Sequence, residues 1–201
     1  NQAGFNLIFG DATGQAWLSA LTNYALPSGS YEGGVVVFAI SNNRFATQSG
    51  LMEALPALVP SLETAWIAVG NAIPIFDDDG VSGVASRESS ACLAAARWCL
   101  MADGYWVAAS ETGGYAEGTG SSFAAPQVSG ALALLAQAFP NLTPSQLRAR
   151  LLASADNTFT GFVSAGQVDL GGGFLHDYST EFGHGFLDIR AALLPIGQTT
   201  L

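Results

Sequence analysis

Positive charge is what this sequence has least of: 6 Lys and Arg stand against 16 Asp and Glu in 201 residues, for a formal net charge of -10. Nucleic acids and anionic membranes both demand a basic face, so neither is an expected partner, and the acidity reads as solubility. Cysteine and histidine are as scarce, at two each. Cys92 and Cys99 sit close together while His176 and His184 lie far along the chain, which is too few and too scattered for a zinc framework. No apolar run approaches the roughly 18 residues of a membrane span. The first residues show neither the charged nor the apolar stretch of an export leader, which is therefore absent or upstream. Internal repeats and low-complexity tracts are also missing.

What the chain has in quantity is apolar residues, 49% by count, with positive mean hydropathy. That suffices for one domain with a deep core. The order of elements indicates an α/β layer with a mainly parallel sheet. Asn6-Leu7-Ile8-Phe9-Gly10 reads as a short buried strand, and Ala16 to Ala25 as a crossover helix. Gly33 to Asn42 is an unbroken β-branched run, expected as a central strand covered on both faces. Its polar end, Ser41-Asn42-Asn43, falls at the carboxyl edge where open α/β sheets bind ligands. Leu51 to Leu62, broken by Pro56 and Pro60, reads as a loop with one helical turn, and Trp66 to Gly70 as a strand. Residues 71–90 read as loops, with Asp77-Asp78-Asp79-Gly80 a solvated tip that lacks the alternating spacing of a calcium loop. Tyr105 to Ala108 suggests another strand. Thr143-Pro144-Ser145-Gln146 has the form of a capping box opening a helix. Residues 156–180 are glycine-rich and accommodate a hairpin, and Arg190 to Leu194 reads as a closing helix.

The stretch with most chemical content is Gly118-Thr119-Gly120-Ser121-Ser122-Phe123-Ala124-Ala125-Pro126. It sets Ser122 at the start of a small-residue helix running to about Phe139, with Pro126 expected in the first turn, where no hydrogen bond is lost. A helix start stabilises negative charge on a neighbouring oxygen, which suits a nucleophile. The same serines equally suit simple caps. Asn42 at the strand end is placed to donate from its amide, with Asn43 the register-shifted alternative and a structural turn a third reading. Cys92 and Cys99 read either as a local disulfide or as two reduced core thiols.

Gly120-Ser121-Ser122-Phe123-Ala124-Ala125-Pro126 resembles the serine signature of the subtilisin-like peptidases, G-[TS]-S-[MF]-A-x-P. The resemblance extends over nearly all of residues 1–196. It implies a three-layer subtilisin-like α/β fold, incomplete at its N-terminal side, in which Ser122 attacks the scissile carbonyl of a polypeptide substrate. Val37-Phe38-Ala39-Ile40-Ser41-Asn42 is similar to the family's V-F-A-A-G-N strand end, which implies Asn42 in the oxyanion hole and Ala39, Ile40 and Ser41 beside the substrate. Asn6 to Gly10 looks like the cleft strand N-x-S-x-G, which adds Phe9 and Gly10 to the substrate-binding set. Cys92 to Cys99 is similar to C-G-x-A-x-x-W-C of exported members and implies a disulfide there.

The family order is Asp, His, Ser, yet both histidines follow Ser122. His184 falls in a packing element similar to G-x-G-x-[LIV]-[DN] and His176 reads as a surface residue, so the general base and its orienting carboxylate are expected upstream. Residues 1–196 then form the C-terminal part of a catalytic domain, with 197–201 starting a linker. No cofactor is expected, and a structural calcium site is not supported by the acidic spacing. Pro140 to Leu152 and Ala191 to Gly197 are most similar to passengers of Gram-negative autotransporters. That implies a secreted or cell-surface protein with a C-terminal barrel in the same chain. Ile40-Ser41 in place of Ala-Gly, Ile8 in place of serine, and Met101 to Gly104 in place of A-P-G are departures that leave room for a non-cleaving surface module.

Overall fold

The computed structural model describes residues 2–78 and 80–194. Two helices, α1 (Gln2–Phe9) and α2 (Ala12–Ala25), precede strand β1 (Val36–Ala39). Short 3-10 turns over Leu55–Ala57 and Pro60–Ala65 lead to a long strand, β2 (Trp66–Asp77), which folds back as β3 (Gly80–Arg87). A third 3-10 turn, Leu93–Trp98, enters β4 (Cys99–Ala102). The hairpin β5 (Tyr105–Ala109) and β6 (Tyr115–Thr119) then delivers the chain into α3 (Ser121–Ala138). After α4 (Pro144–Ala153) come the hairpin β7 (Gly166–Asp169) and β8 (Leu175–Tyr178), and α5 (Ile189–Leu193).

β2 is the central strand. It pairs in parallel with β1, Val36 opposite Trp66, and in parallel with β4, Ala68 opposite Cys99, while its outer half pairs antiparallel with β3. Successive side chains of a strand point to opposite faces. Trp66 and Ala68 accordingly join one core with Trp98, Met101, Phe159 and Phe186, whereas Ile67 and Val69 join a second core with Leu100, Ala124, Val128 and Leu135. The second core is covered by α3, whose Ala124, Val128, Ala131 and Leu135 recur at helical spacing and are all buried. Small residues there let α3 lie close on the sheet. α4 opens with the capping box at Thr143 and Gln146 and buries Leu147, Leu151 and Leu152. Cys92 and Cys99 are joined by a disulfide that brackets the turn before β4.

Several expectations need correction. Asn6 to Phe9 is the end of a helix and Gly10 a bend after it: Phe5 and Phe9, four residues apart, meet at 5.0 Å and Phe9 also meets Trp17 at 5.4 Å. A helix satisfies its backbone within itself, whereas an isolated strand cannot. β1 is half-buried at every position and pairs only with β2 among the described residues. Residues 71–90 are mostly the β2–β3 hairpin, whose ladder shifts register at Ile73/Pro74 and Ile75/Phe76, which breaks the alternation that would have announced it. Pro126 stands inside α3. Beyond the first turn it has no N–H to return to Ser122 O, so the ladder opens at that carbonyl. His176 is half-buried and its Nδ1 lies 3.0 Å from Nδ1 of the buried His184. The expected boundary at 196–197 lies outside the described residues.

Candidate active site

Three chain segments meet at Ser122. The first is the end of β1. Ile40, 3% exposed, continues the ladder by donating its N–H to Val69 O. Ser41 N–H donates to Glu53 Oε2 at 3.0 Å, and Gly50 N–H to Glu53 Oε1 at 2.5 Å. Burial pushes the Glu53 carboxyl up from its ordinary value, and these two donors pull it back. A buried glutamate thus anchors the strand end from below. Asn43 is used locally: its Oδ1 accepts from Phe45 N–H at 3.1 Å, an Asx turn. Asn42 instead reaches across, its Oδ1 accepting from Ser121 N–H at 2.9 Å and lying 3.0 Å from Ser121 Oγ.

The second segment comes from β2 and the chain after β4. Asn71, with no exposed surface, accepts from Gly104 N–H on Oδ1 at 2.8 Å and donates from Nδ2 to Thr119 Oγ1 at 3.0 Å. Gly104 O in turn accepts from Gly120 N–H at 3.1 Å. One side-chain amide therefore holds both chains that flank the serine pair. Gly104 must be glycine, because a Cβ there would meet Gly120 O and stand 2.7 Å from Asn71 Cγ; contact so close has no room for a methyl.

The third segment is the start of α3. Ser121 is 1% exposed and its Oγ lies 2.6 Å from Ile40 O, so it is a buried tie between helix and strand. Ser122, one residue on, is exposed. First-turn amides have no partner inside a helix unless one is supplied. Ser121 N–H is taken by Asn42, while Phe123 and Ala124 N–H both reach Gly120 O. Ser122 N–H and Ser122 Oγ make no hydrogen bond among the described residues. Asn42 Nδ2 likewise has no acceptor there. An open groove of about 550 Å³ runs past Ser122 between β1 (Val37, Phe38, Ala39) and α3 (Ser122, Ala125, Pro126). A hydroxyl, a backbone amide and a side-chain amide, all unspent at a helix start, suit attack on a carbonyl and stabilisation of the oxyanion it produces.

A family model described as the subtilase family matches residues 5–185. The chain belongs to the subtilase family. Subtilisin of Bacillus pumilus is 30% identical over 156 residues, 77% of this chain and 50% of that protein. Serotype-specific antigen 1 of Mannheimia haemolytica is 33% identical over 129 residues, 60% of this chain and 13% of that protein. Among solved structures, the prenylagaramide maturation protease PagA superposes with a TM-score of 0.59 at 21% identity, over 91% of this chain and 55% of that one. The fold is the α/β subtilisin-like one with a parallel sheet, and the chain spans half the length of the Bacillus subtilase it matches.

The structure brings Asn42 and Ile40 to Ser121 and Ala39 to the groove at Ser122, ties Ser41 to Glu53, Ser90 and Asn43 instead, and leaves Phe9 and Gly10 elsewhere: Phe9 packs into the core from α1, and neither residue lines the groove at Ser122. Neither histidine is directed at Ser122. His184 Nε2 lies 2.9 Å from Arg97 O and its Nδ1 faces His176. Burial holds His184 down to about 3. Ser121, Glu53, Asn71 and Gly104 were not singled out from the sequence. Asn71 carried a legible signal, as an amide inside the apolar run Trp66 to Ile75; the other three act through contacts between segments far apart in the chain.

Proposed function

We propose that the intact protein is a serine endopeptidase in which Ser122 Oγ attacks the scissile carbonyl of a polypeptide. Ser122 N–H and Asn42 Nδ2 hold the oxyanion, and the general base with its orienting carboxylate is supplied from outside these 201 residues. The observation that carries this reading is the pairing of opposite fates at adjacent serines. Ser121 spends its hydroxyl and amide on Ile40 and Asn42, while exposed Ser122 keeps both. By accepting from Ser121, Asn42 Oδ1 fixes the amide so that Nδ2 is the free end. Alternatives for the base within the chain are poor, because His184 is buried and neutral and His176 is turned to it.

The test is labelling of the intact protein by a fluorophosphonate. Wild type should label, and Ser122→Ala should not. Persistent labelling of that variant would exclude Ser122 as nucleophile, and an unreactive wild type would favour a non-cleaving surface module. Export to the cell surface, with a C-terminal barrel, is the accompanying proposal. The Cys92–Cys99 disulfide, a mark of oxidising compartments, and likeness to a bacterial protein named as an antigen support it. Protease shaving of whole cells should remove the protein, and protection from shaving would count against export.

A further inference from the structure

A second cavity, of about 560 Å³, shares no lining residue with the groove at Ser122. It lies between the end of α2, the turn Pro60–Ala65, α4 and β7. Arg148 stands in its wall and is only 5% exposed. Its Nε donates to Trp66 O at 2.7 Å, and Trp66 directly follows the turn whose Thr64 and Ala65 line the cavity. Nη1 and Nη2 make no hydrogen bond and no ion pair among the described residues. Glu63, the carboxylate that acts on Arg148, is committed to Arg97 at 3.1 Å. Burial lowers Arg148 to about 10, so it remains a cation at neutral pH. An arginine that is nearly enclosed, with its outer nitrogens unpaired yet reached by solvent, can take a carboxylate by two parallel hydrogen bonds.

The rest of the wall has a matching order. Pro27, Val168 and Leu170 supply apolar wall, and the lining carboxylates are the exposed Glu32 and Asp169 together with Glu63, which is paired with Arg97. A simple anion must pass those carboxylates, on a chain of net charge -10, and a simple cation meets Arg148. We propose that this cavity binds a short zwitterionic peptide with aliphatic side chains. Its terminal carboxylate lies on the Arg148 fork, its side chains lie against the apolar wall, and its ammonium faces Glu32 and Asp169. The cavity volume suits a ligand of two or three residues. The proposal is independent of the reading of Ser122.

The test uses calorimetric titration of the intact protein carrying Ser122→Ala, so that no probe is hydrolysed. The probes are leucyl-leucine, its C-terminal amide and its N-acetyl form. Leucyl-leucine should bind. Removing the carboxylate should weaken binding about tenfold or more, the loss expected for a charge-assisted pair. Acetylation should weaken it less. Glu32→Gln, a change at an exposed position, should lower affinity for leucyl-leucine and raise it for the acetyl peptide, reversing the discrimination against the anion. Equal binding of the amide, no binding of any peptide, or an unchanged ratio in Glu32→Gln would each overturn the proposal.

Discussion

β1 and β4 flank the same strand and run parallel to it, each matched to β2 over four residues, yet they occupy opposite environments. β4, Cys-Leu-Met-Ala, is buried at every position; β1, Val-Val-Phe-Ala, is half-buried at every position despite its stronger β character. The outer edge of β4 is closed by returning chain: His184 N–H reaches Cys99 O, and Met101 exchanges hydrogen bonds with Gly185 O and Leu187 N–H. No strand closes the outer edge of β1 among the described residues. Coverage follows from what closes an edge more than from how apolar the strand is. The candidate site spans both sides, with Asn42 hung from the open strand and Ser122 held through Asn71 and Gly104 to the closed one.

The largest effect belongs to the serine. Ser122→Ala should lower kcat of the intact protein by about a millionfold, as loss of a nucleophile does, measured by peptide hydrolysis. Asn42→Ala on the open side should lower kcat by about a hundredfold to a thousandfold with little change in KM. Equal losses from the two variants would mean that Asn42 positions the serine as well as stabilising the oxyanion.

Stability separates the strands directly. Leu100→Ala, in fully buried β4, should cost about 2–5 kcal/mol, read by chemical denaturation. The closing segment of β4 brings a pH dependence. His184 titrates near 3 when folded and near 6.5 when unfolded. The unfolded state thus takes up the proton first, and stability present above pH 6.5 is lost as pH falls toward 3. The loss should approach about 1.4 kcal/mol per pH unit, and His184→Gln should flatten that slope. The smallest change is expected from Val37→Ala in half-buried β1, at about 1 kcal/mol. A cost equal to that of Leu100→Ala in the intact protein would show that a further segment covers β1 there.

Local signals were legible and non-local pairing was not. The capping box at Thr143 and the helix beginning at the serine pair are set by residues three or four apart, and both appear where the sequence puts them. The β2–β3 hairpin was hidden by Pro74 and by glycines at 80 and 83 within its ladder. Leu7, Ile8 and Phe9 offered an apolar run that suits a strand or a buried helix turn equally, and the packing of Phe9 on Phe5 and Trp17 gave the helix. His176 gave no sign of its partner eight residues on, because their meeting depends on β8 folding back over the turn before His184.

By itself the sequence determined the nucleophile candidate, the α/β class and the acidic surface, since each follows from residue type and short-range spacing. Tertiary structure decided which asparagine faces the serine pair, which of two adjacent serines keeps its donors, and which strand is left open. Those outcomes depend on contacts such as Ser121 with Asn42 and Asn71 with Gly104, across sequence separations of 79 and 33 residues. Their hydrogen bonds exist only once the sheet has set the distances.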